Sequence, residues 1–230
     1  GRVLVTGGIG DYGPIASTEV YDPAYDQWRT GPTMTTPRVG HTATLLADGT
    51  VLVTGGETGR GTAASAEVLD VSAGSTAVVG SMHFERSGHR GLLLDDGRVL
   101  MVGGTDWISE PWYQVEAYDP GTHSFVPAGS MSVGRLFMCL ERLSDGRALA
   151  IGGDDAGTSE VRWMRVEDGT WDVAGPVVAA SSGAGTAADP IGGFEPFVFI
   201  DVAAIGDLSM VGYVRGLYDT VLEMELPKSR

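Results

Sequence analysis

The stretch Gly49-Thr-Val-Leu-Val-Thr-Gly-Gly56 returns 48 residues later as Gly97-Arg-Val-Leu-Met-Val-Gly-Gly104, and again 49 residues after that as Gly146-Arg-Ala-Leu-Ala-Ile-Gly-Gly153. Near the start of the chain the same double glycine stands at Gly7-Gly8. A fixed period of about 20 to 50 residues indicates one supersecondary unit copied along the chain. We therefore predict a single repeat domain of between four and five units over the 230 residues.

Each unit alternates short apolar runs with turn residues, a pattern typical of β-strands. The run from Thr42 to Ala47 is closed by Asp48-Gly49, for which we predict a two-residue type I′ hairpin turn. The next strand ends at the double glycine. A third strand carries Glu67-Val-Leu-Asp70 or Glu116-Ala-Tyr-Asp119, and a fourth starts near an aromatic residue such as Phe125. Sheets of four antiparallel strands without covering helices must pack on one another, as the blades of a radial array do.

These residues resemble the Kelch repeat, whose blade has a double glycine, a tyrosine followed by aspartate, and a tryptophan at similar separations. The resemblance covers residues 1 to about 175, and blade 2 departs from it with Thr76-Ala77 in place of the tryptophan. It implies an all-β fold, a Kelch-type β-propeller of about five blades whose first and last blades are incomplete. The predicted repeats are residues 1–34, 35–82, 83–131, 132–177 and a degenerate 178–230.

The ends of the sequence leave two arrangements open. Gly1 stands six residues before Gly7, as Gly49 stands before Gly55, so the sequence starts inside a hairpin turn and the first strand of blade 1 is expected to be missing. The chain is either part of a larger propeller of six or seven blades or a five-bladed ring whose C-terminal segment closes on blade 1. We favour the larger propeller.

Composition and charge limit the classes of binding partner that are expected. The formal charge of −15 disfavours nucleic acid and anionic membrane surfaces, because both attract basic proteins. No apolar run approaches the length of a membrane-spanning helix, so no membrane insertion is expected. The single cysteine, Cys139, excludes an internal disulfide. The compartment and the oligomeric state stay open.

Three arginines recur in register with the double glycines. Arg38, Arg86 and Arg135 each stand 17 residues before the first glycine of the following pair, in the loops that join one blade to the next. At the mouth of the central channel they would form a receptor for carboxylate or phosphate groups, since the planar guanidinium pairs bidentately with both. The structural alternative is that each arginine pairs with a carboxylate or carbonyl between blades.

The loops between the second and third strands differ from copy to copy, and variation among regular repeats marks the places where function resides. Blade 1 has Tyr12 there, and blade 3 has the aromatic residues Trp107, Trp112 and Tyr113. We predict that these four residues, with the three arginines, contact a ligand. The alternative for the tryptophans is that they pack onto the blade and only fold the loop.

Catalytic and metal signals are sparse. His41 and His89 recur, but Met138 takes the equivalent position in blade 4, which favours a packing role over metal ligation. No metal or cofactor is predicted, and no catalytic residue is assigned. If the chain is an enzyme, Asp154 and Glu195 are the candidate acid and base at the channel mouth.

Three functional hypotheses follow. The first is a non-catalytic propeller that binds a protein or a carbohydrate through the arginines and the tryptophan loop. The second is an enzyme acting on a small anionic substrate in the central channel. The third is a structural module of a larger assembly. Fold alone does not choose among them.

Overall fold

The chain is all-β in the part that its structure describes. The structure, a computed structural model, describes residues 1–143, 146–153, 160–164, 170–176, 199–205, 209–215 and 220–225. Every regular element in these residues is a β-strand, and the strands pair into antiparallel sheets. Within the same residues there is no helix of the length and apolarity needed to cross a membrane.

The first compact unit, Gly1–Phe137, holds three larger sheets, which we call blades 1 to 3, and two two-stranded hairpins. Blade 1 contains β1 (Val3–Thr6), the hairpin strands β2 (Ile9–Gly10) and β3 (Gly13–Pro14), β4 (Thr18–Asp22) and β5 (Gln27–Thr30). Blade 2 contains β6 (Thr42–Leu45), β7 (Val51–Thr54), the hairpin strands β8 (Glu57–Thr58) and β9 (Gly61–Thr62), β10 (Ser65–Asp70) and β11 (Ser75–Ser81). Blade 3 contains β12 (Arg90–Leu93), β13 (Val99–Val102), β14 (Gln114–Asp119) and β15 (Ser124–Ser130).

In its described residues the second compact unit, Met138–Arg230, has two sheets. Blade 4 contains β16 (Cys139–Arg142), β17 (Ala148–Ile151), β18 (Glu160–Met164) and β19 (Trp171–Pro176). The last sheet contains β20 (Phe199–Ile205), β21 (Ser209–Arg215) and β22 (Thr220–Glu225). The predicted repeats thus appear as meandering sheets, with three strands in the first and last. That all of them form one domain stays a prediction.

The core of the first unit lies between its blades. Leu52 and Met82 of blade 2 form one buried cluster with Met101, Tyr118 and Phe125 of blade 3. A second cluster joins the residues Met34, Val51, Val53 and Leu69, with Leu4 and Ala16 of blade 1 packed against it. The second strands β7 and β13 are buried along their whole length. Face-to-face burial between neighbouring blades therefore replaces the covering helices that the sequence lacks.

The hairpin turns before the double glycines are present, but the predicted turn type was wrong. Gly49 and Gly97 both have a φ of 87°, whereas Asp48 and Asp96 are not in the left-handed region. The Gly49 N–H donates to the carbonyl of Leu46 at 3.0 Å, and the Asp48 carboxylate accepts from the Thr50 N–H at 2.9 Å. This is a three-residue loop with one left-handed glycine, and a type I′ turn would need two positive φ angles.

The double glycine lies at the end of the second strand of each blade, where the following loop begins. Gly55 and Gly56 have φ angles of 64° and 90°. A side chain on Gly55 would meet the carbonyl oxygen of Arg86 and stand 2.7 Å from Cε1 of His89. The Gly56 N–H donates to the same Arg86 carbonyl at 2.7 Å. Backbone conformation and close approach both demand glycine here, so the repeat keeps it.

We predict that Gly55→Ala destabilises the chain more than Gly49→Ala. Gly49 has open space around its Cα, so alanine there adds only left-handed strain of about 1 to 2 kcal/mol. Alanine at Gly55 adds the same strain and a further cost of about 1 to 3 kcal/mol for the overlap with Arg86 and His89. Urea unfolding of both variants measures the difference. Equal losses would show that close approach at the double glycine does not matter.

Candidate functional site

Two sets of loops meet at one end of the blades in the first unit. The inter-blade residue Val39 exchanges backbone hydrogen bonds with Glu57, which follows the double glycine of blade 2, at 3.0 and 2.7 Å. Ser87 and Thr105 do the same one blade further on, at 2.8 and 3.0 Å. The inter-blade loops and the loops after the double glycines therefore form a connected surface, which we call the loop face.

Arg38 links blade 1 to blade 2 and is completely buried. Its backbone carbonyl accepts from Gly8 N–H of blade 1 at 2.8 Å. Its guanidinium points into blade 2, where Nη1 donates to the carbonyls of Gly55 and Ser65, and Nε and Nη2 donate to Glu67 Oε1 at 3.2 and 2.9 Å. A further bond from Nη2 to Ser65 Oγ means that all five N–H donors have acceptors inside the protein.

Arg86 repeats this arrangement between blades 2 and 3. Its Nη1 donates to the carbonyl of Gly103 at 2.7 Å, and its Nε and Nη2 donate to Glu116 Oε2 at 3.3 and 3.0 Å. Nη2 also donates to the carbonyl of Gln114 at 2.8 Å. Arg135 is equally buried, and its carbonyl accepts from Gly104 N–H.

The placement of Arg38, Arg86 and Arg135 is unfavourable for an anion receptor. None of the three side chains is exposed, and the acceptors of Arg38 and Arg86 are groups of the blades themselves. The geometry matches the structural alternative, in which the arginine belongs to the repeat. The carboxylates Glu67 and Glu116 were not singled out as partners by the sequence, although they follow the arginines at 29 and 30 residues.

The buried carboxylate of Glu67 stays ionised because its partners outweigh its burial. Burial alone would raise its pKa, but the N–H of Thr35 and the guanidinium of Arg38 both donate to it, and the net pKa lies below the ordinary glutamate value. Glu67 also accepts from the Thr36 N–H at 3.1 Å. The pair thus fixes the backbone of the inter-blade loop as well as the arginine.

Trp112 holds the long loop of blade 3 against the neighbouring loop. Its ring packs on Phe84 with 4.6 Å between ring centroids, and its Nε1 donates to the carbonyl of Glu85 at 2.9 Å. Phe84 in turn lies 5.5 Å from the Arg86 guanidinium carbon. Trp112 is half-buried and folds the loop, which is the alternative weighed for it from the sequence.

Asp106 fixes the turn that presents Trp107. Its carboxylate accepts from the backbone N–H groups of Ile108 and Ser109 at 3.0 and 2.7 Å, and from the Ser109 hydroxyl at 3.0 Å. These donors, with the Ser109 N–H foremost, hold the pKa of Asp106 below its ordinary value. Trp107 itself has a φ of 62°, and its N–H donates to Thr105 Oγ1 at 2.9 Å. The loop is therefore ordered by its own polar groups.

The same loop leaves a group of large apolar side chains uncovered. Trp107 is 57% exposed, Ile108 93% and Tyr113 48%. Val133 of the following inter-blade loop is 42% exposed, and its neighbour Gly134 lies so close to the carbonyl of Pro111 that any side chain at 134 would overlap it. We call Trp107, Ile108, Tyr113 and Val133 the apolar patch. Isolated exposed apolar residues are ordinary, whereas several on one ordered loop and its neighbour form a candidate binding surface.

Phe137 supports the patch and was missed by the sequence analysis. It occupies the position that Gly40 and Gly88 hold in the earlier inter-blade loops, and all three are left-handed, with φ angles of 53°, 67° and 68°. Its ring lies against Gly88 and 6.4 Å from the Trp107 ring, centroid to centroid. The sequence signal for Phe137 was that it stands where the earlier inter-blade loops have glycine.

Tyr12 stands apart from the apolar patch on the loop of blade 1. It occupies the tip of the β2–β3 hairpin, where Ile9 pairs with Pro14, and its side chain is fully exposed. Ile9 beside it is also exposed. The structure thus places the predicted aromatic residues Tyr12, Trp107 and Tyr113 at the surface of the loop face, and Trp112 beneath it.

The recurrent histidines are packing residues below the loop face. His89 is buried, and its Nε2 lies 2.9 Å from Thr54 Oγ1 and 3.2 Å from Thr42 Oγ1. Burial, reinforced by the nearby charge of Arg86, lowers the pKa of His89 to about 3. His41 contacts Thr6 Oγ1 at 2.8 Å, and burial lowers its pKa as well.

The catalytic alternative rests on two carboxylate residues. Asp154 and Glu195 both lie outside the residues that the structure describes. Among the residues it does describe, no three His, Cys, Asp or Glu side chains converge as metal ligands would.

Comparison with known proteins identifies the repeat. A family model described as the Kelch motif matches residues 1–35, which span blade 1. No curated protein matches the chain. With the all-strand sheets described above, this match confirms both the resemblance seen in the sequence and the β-propeller fold class.

We predict that His89→Met reduces the loss of stability of the chain in mild acid. The unfolded chain takes up a proton at His89 near pH 6.5, whereas the folded chain does not do so until about pH 3, so stability falls as the pH drops between these values. Between pH 6 and pH 5 this contributes about 1 kcal/mol. Methionine, the residue at the equivalent Met138, removes that contribution. Urea unfolding at both pH values gives the change in the free energy of unfolding for the wild type and for His89→Met. Identical changes would contradict the lowered pKa of His89.

Proposed function

We propose that this chain, whose residues 1–35 match the Kelch motif of the β-propeller fold class, acts as a protein-binding module whose partner docks on the loop face of the first unit. Kelch repeats commonly mediate protein interactions. The observation that carries the proposal for this chain is the apolar patch, exposed on a loop that is already ordered.

Order in the free protein favours binding. The hydrogen bonds of Asp106 and the packing of Trp112 on Phe84 fix the loop before any partner arrives. Association then costs little of the conformational entropy that a flexible loop would lose. Tryptophan and tyrosine are also the side chains enriched at interface hot spots, because each buries a large area while fixing only two torsions.

The arginines support a protein partner over a small anionic substrate. An enzyme of the kind considered from the sequence would use Arg38, Arg86 and Arg135 to bind the anion, but these side chains are buried and those of Arg38 and Arg86 are bonded within the blades. We assign them to the architecture. In our proposal Trp107 and Tyr113 contact the partner, Tyr12 offers a second contact on blade 1, and Trp112 positions the loop.

We predict that Trp107→Ala weakens partner binding strongly without destabilising the chain. The ring of Trp107 is more exposed than buried, so its loss removes little packing, but truncating a central aromatic anchor costs about 2 kcal/mol or more, roughly 30-fold in affinity. The probe is a phage-displayed library of random dodecapeptides, selected on the full 230-residue chain. Enriched peptides are then synthesised and titrated by calorimetry.

Tyr25→Ala is the matched control. Tyr25 is 75% exposed, but it lies in the turn between β4 and β5, at the end of the blade opposite to the loop face. Peptides that bind the wild type and Tyr25→Ala alike, and lose affinity for Trp107→Ala, support the proposal. Failure to enrich any peptide, or equal binding to all three proteins, would overturn it. A glycan bound in a Trp107-dependent manner on an array, with no peptide enriched, would assign the same patch to a carbohydrate instead.

A further inference from the structure

We propose that the exposed face of Trp107, with the Phe137 ring beside it, receives a lysine or arginine side chain of the partner protein. This inference rests on the proposed function and specifies the chemistry of the partner. It follows from three features of the described loop face: the geometry of the two rings, the charge around them, and the identity of the residue at position 137.

The two rings form a supported aromatic surface. Their centroids are 6.4 Å apart at an angle of 44°, so Phe137 flanks Trp107 without covering it. Trp107 remains 57% exposed. Since the face of an aromatic ring carries partial negative charge, tryptophan attracts a cation placed over it more strongly than phenylalanine or tyrosine does.

The loop that carries Trp107 is acidic. The loop from Thr105 to Tyr113 contains Asp106 and Glu110 and neither lysine nor arginine. Glu85 joins them, because its backbone carbonyl accepts from Trp112 Nε1 and its side chain is exposed. Arg86, next in sequence, is buried and paired with Glu116, so it does not neutralise this surface. The chain as a whole carries −15.

The apolar neighbours define what accompanies the cation. Ile108 and Val133 flank the loop and are exposed by 93% and 42%. A basic side chain lays its aliphatic stem on such surface while its charged end reaches the ring and the carboxylates. A neutral apolar segment would bring no opposite charge to Glu110 and Glu85, whose side chains are exposed, and an acidic segment would be repelled.

Phe137 distinguishes this site from the equivalent positions after blades 1 and 2. The equivalent positions Gly40 and Gly88 carry no side chain, and phenylalanine is strained in the left-handed conformation that all three adopt. Its backbone is held by the hydrogen bond from Phe137 N–H to the Gly88 carbonyl at 2.8 Å. Phe137 is therefore a positioning residue, which orients Trp107.

The experiment uses the peptides selected on the full chain. We expect the peptides whose binding depends on Trp107 to be enriched in lysine or arginine next to an apolar residue. Replacing the critical arginine by citrulline, which has the same shape and no charge, should weaken binding at least tenfold. Raising NaCl from 50 to 500 mM should weaken the arginine peptide several-fold and the citrulline peptide little, because salt screens charge pairs at the surface.

Three variants separate an aromatic requirement from an apolar one. Trp107→Phe should retain more affinity than Trp107→Leu, although leucine and phenylalanine are both apolar. Phe137→Gly restores the residue of the two earlier inter-blade loops and should relieve backbone strain, yet lower the affinity for the arginine peptide several-fold. Thermal unfolding of each variant checks the fold.

The outcomes distinguish this inference from the proposed function. Peptides that require Trp107 but lack basic residues, or that tolerate citrulline, overturn the inference and leave the protein-binding function standing. Peptides indifferent to Trp107→Ala overturn both. Equal affinity of the Trp107→Phe and Trp107→Leu variants for the arginine peptide would show that only apolar contact matters and would also overturn the inference.

Discussion

The structure of the first unit depends on a buried ion pair repeated between its blades. Arg38 with Glu67, and Arg86 with Glu116, place a guanidinium and a carboxylate where neither meets water. A buried charge is tolerated only when it is paired and its hydrogen bonds are satisfied. Besides its carboxylate partner, each arginine donates to the backbone carbonyl of the first glycine in the following pair. This glycine is Gly55 for Arg38 and Gly103 for Arg86. The ion pair therefore sets the register of one blade on the next.

Contacts from these ion pairs help to fix the loop face. Arg86 is the end of a chain of contacts that runs through Phe84 to the ring of Trp112 and so to the long loop of blade 3. Asp106 completes the order of that loop through bonds to its own backbone. The exposed side chains that we assign to partner binding thus stand on the most constrained part of the repeat. A rigid scaffold that displays variable loops is the usual division of labour in repeat proteins.

The regular spacing of the repeat predicted the β-sheets. The spacing of Gly55-Gly56 and Gly103-Gly104 predicted the sheets. Their positive φ angles and close contacts explain why glycine recurs at these positions. The turn type at Asp48 was wrong, because the dipeptide Asp-Gly suits two loop lengths and the Asp48 bond to Thr50 selects the longer one. The dipeptide alone does not make that choice.

The site was predictable only in part, for a similar reason. The loop of blade 3 was identifiable because it departs from the other copies, but which tryptophan packs and which is exposed depends on Phe84 and Glu85, more than 20 residues away. Likewise the register revealed Arg38, Arg86 and Arg135, while the burial of Arg38 and Arg86 follows from carbonyls and carboxylates on blades 2 and 3. Phe137 carries no pattern of its own until it is aligned with Gly40 and Gly88.

The central claim is that the buried ion pair, rather than general packing, locks one blade to the next. A double-mutant cycle of Arg86→Met and Glu116→Leu, measured as free energies of unfolding in urea, tests it most directly. Each single change leaves an unpaired buried charge and should cost about 3 to 5 kcal/mol. The double variant should recover about 2 kcal/mol or more of the summed loss, since the two residues are directly coupled. Strictly additive losses would contradict the account.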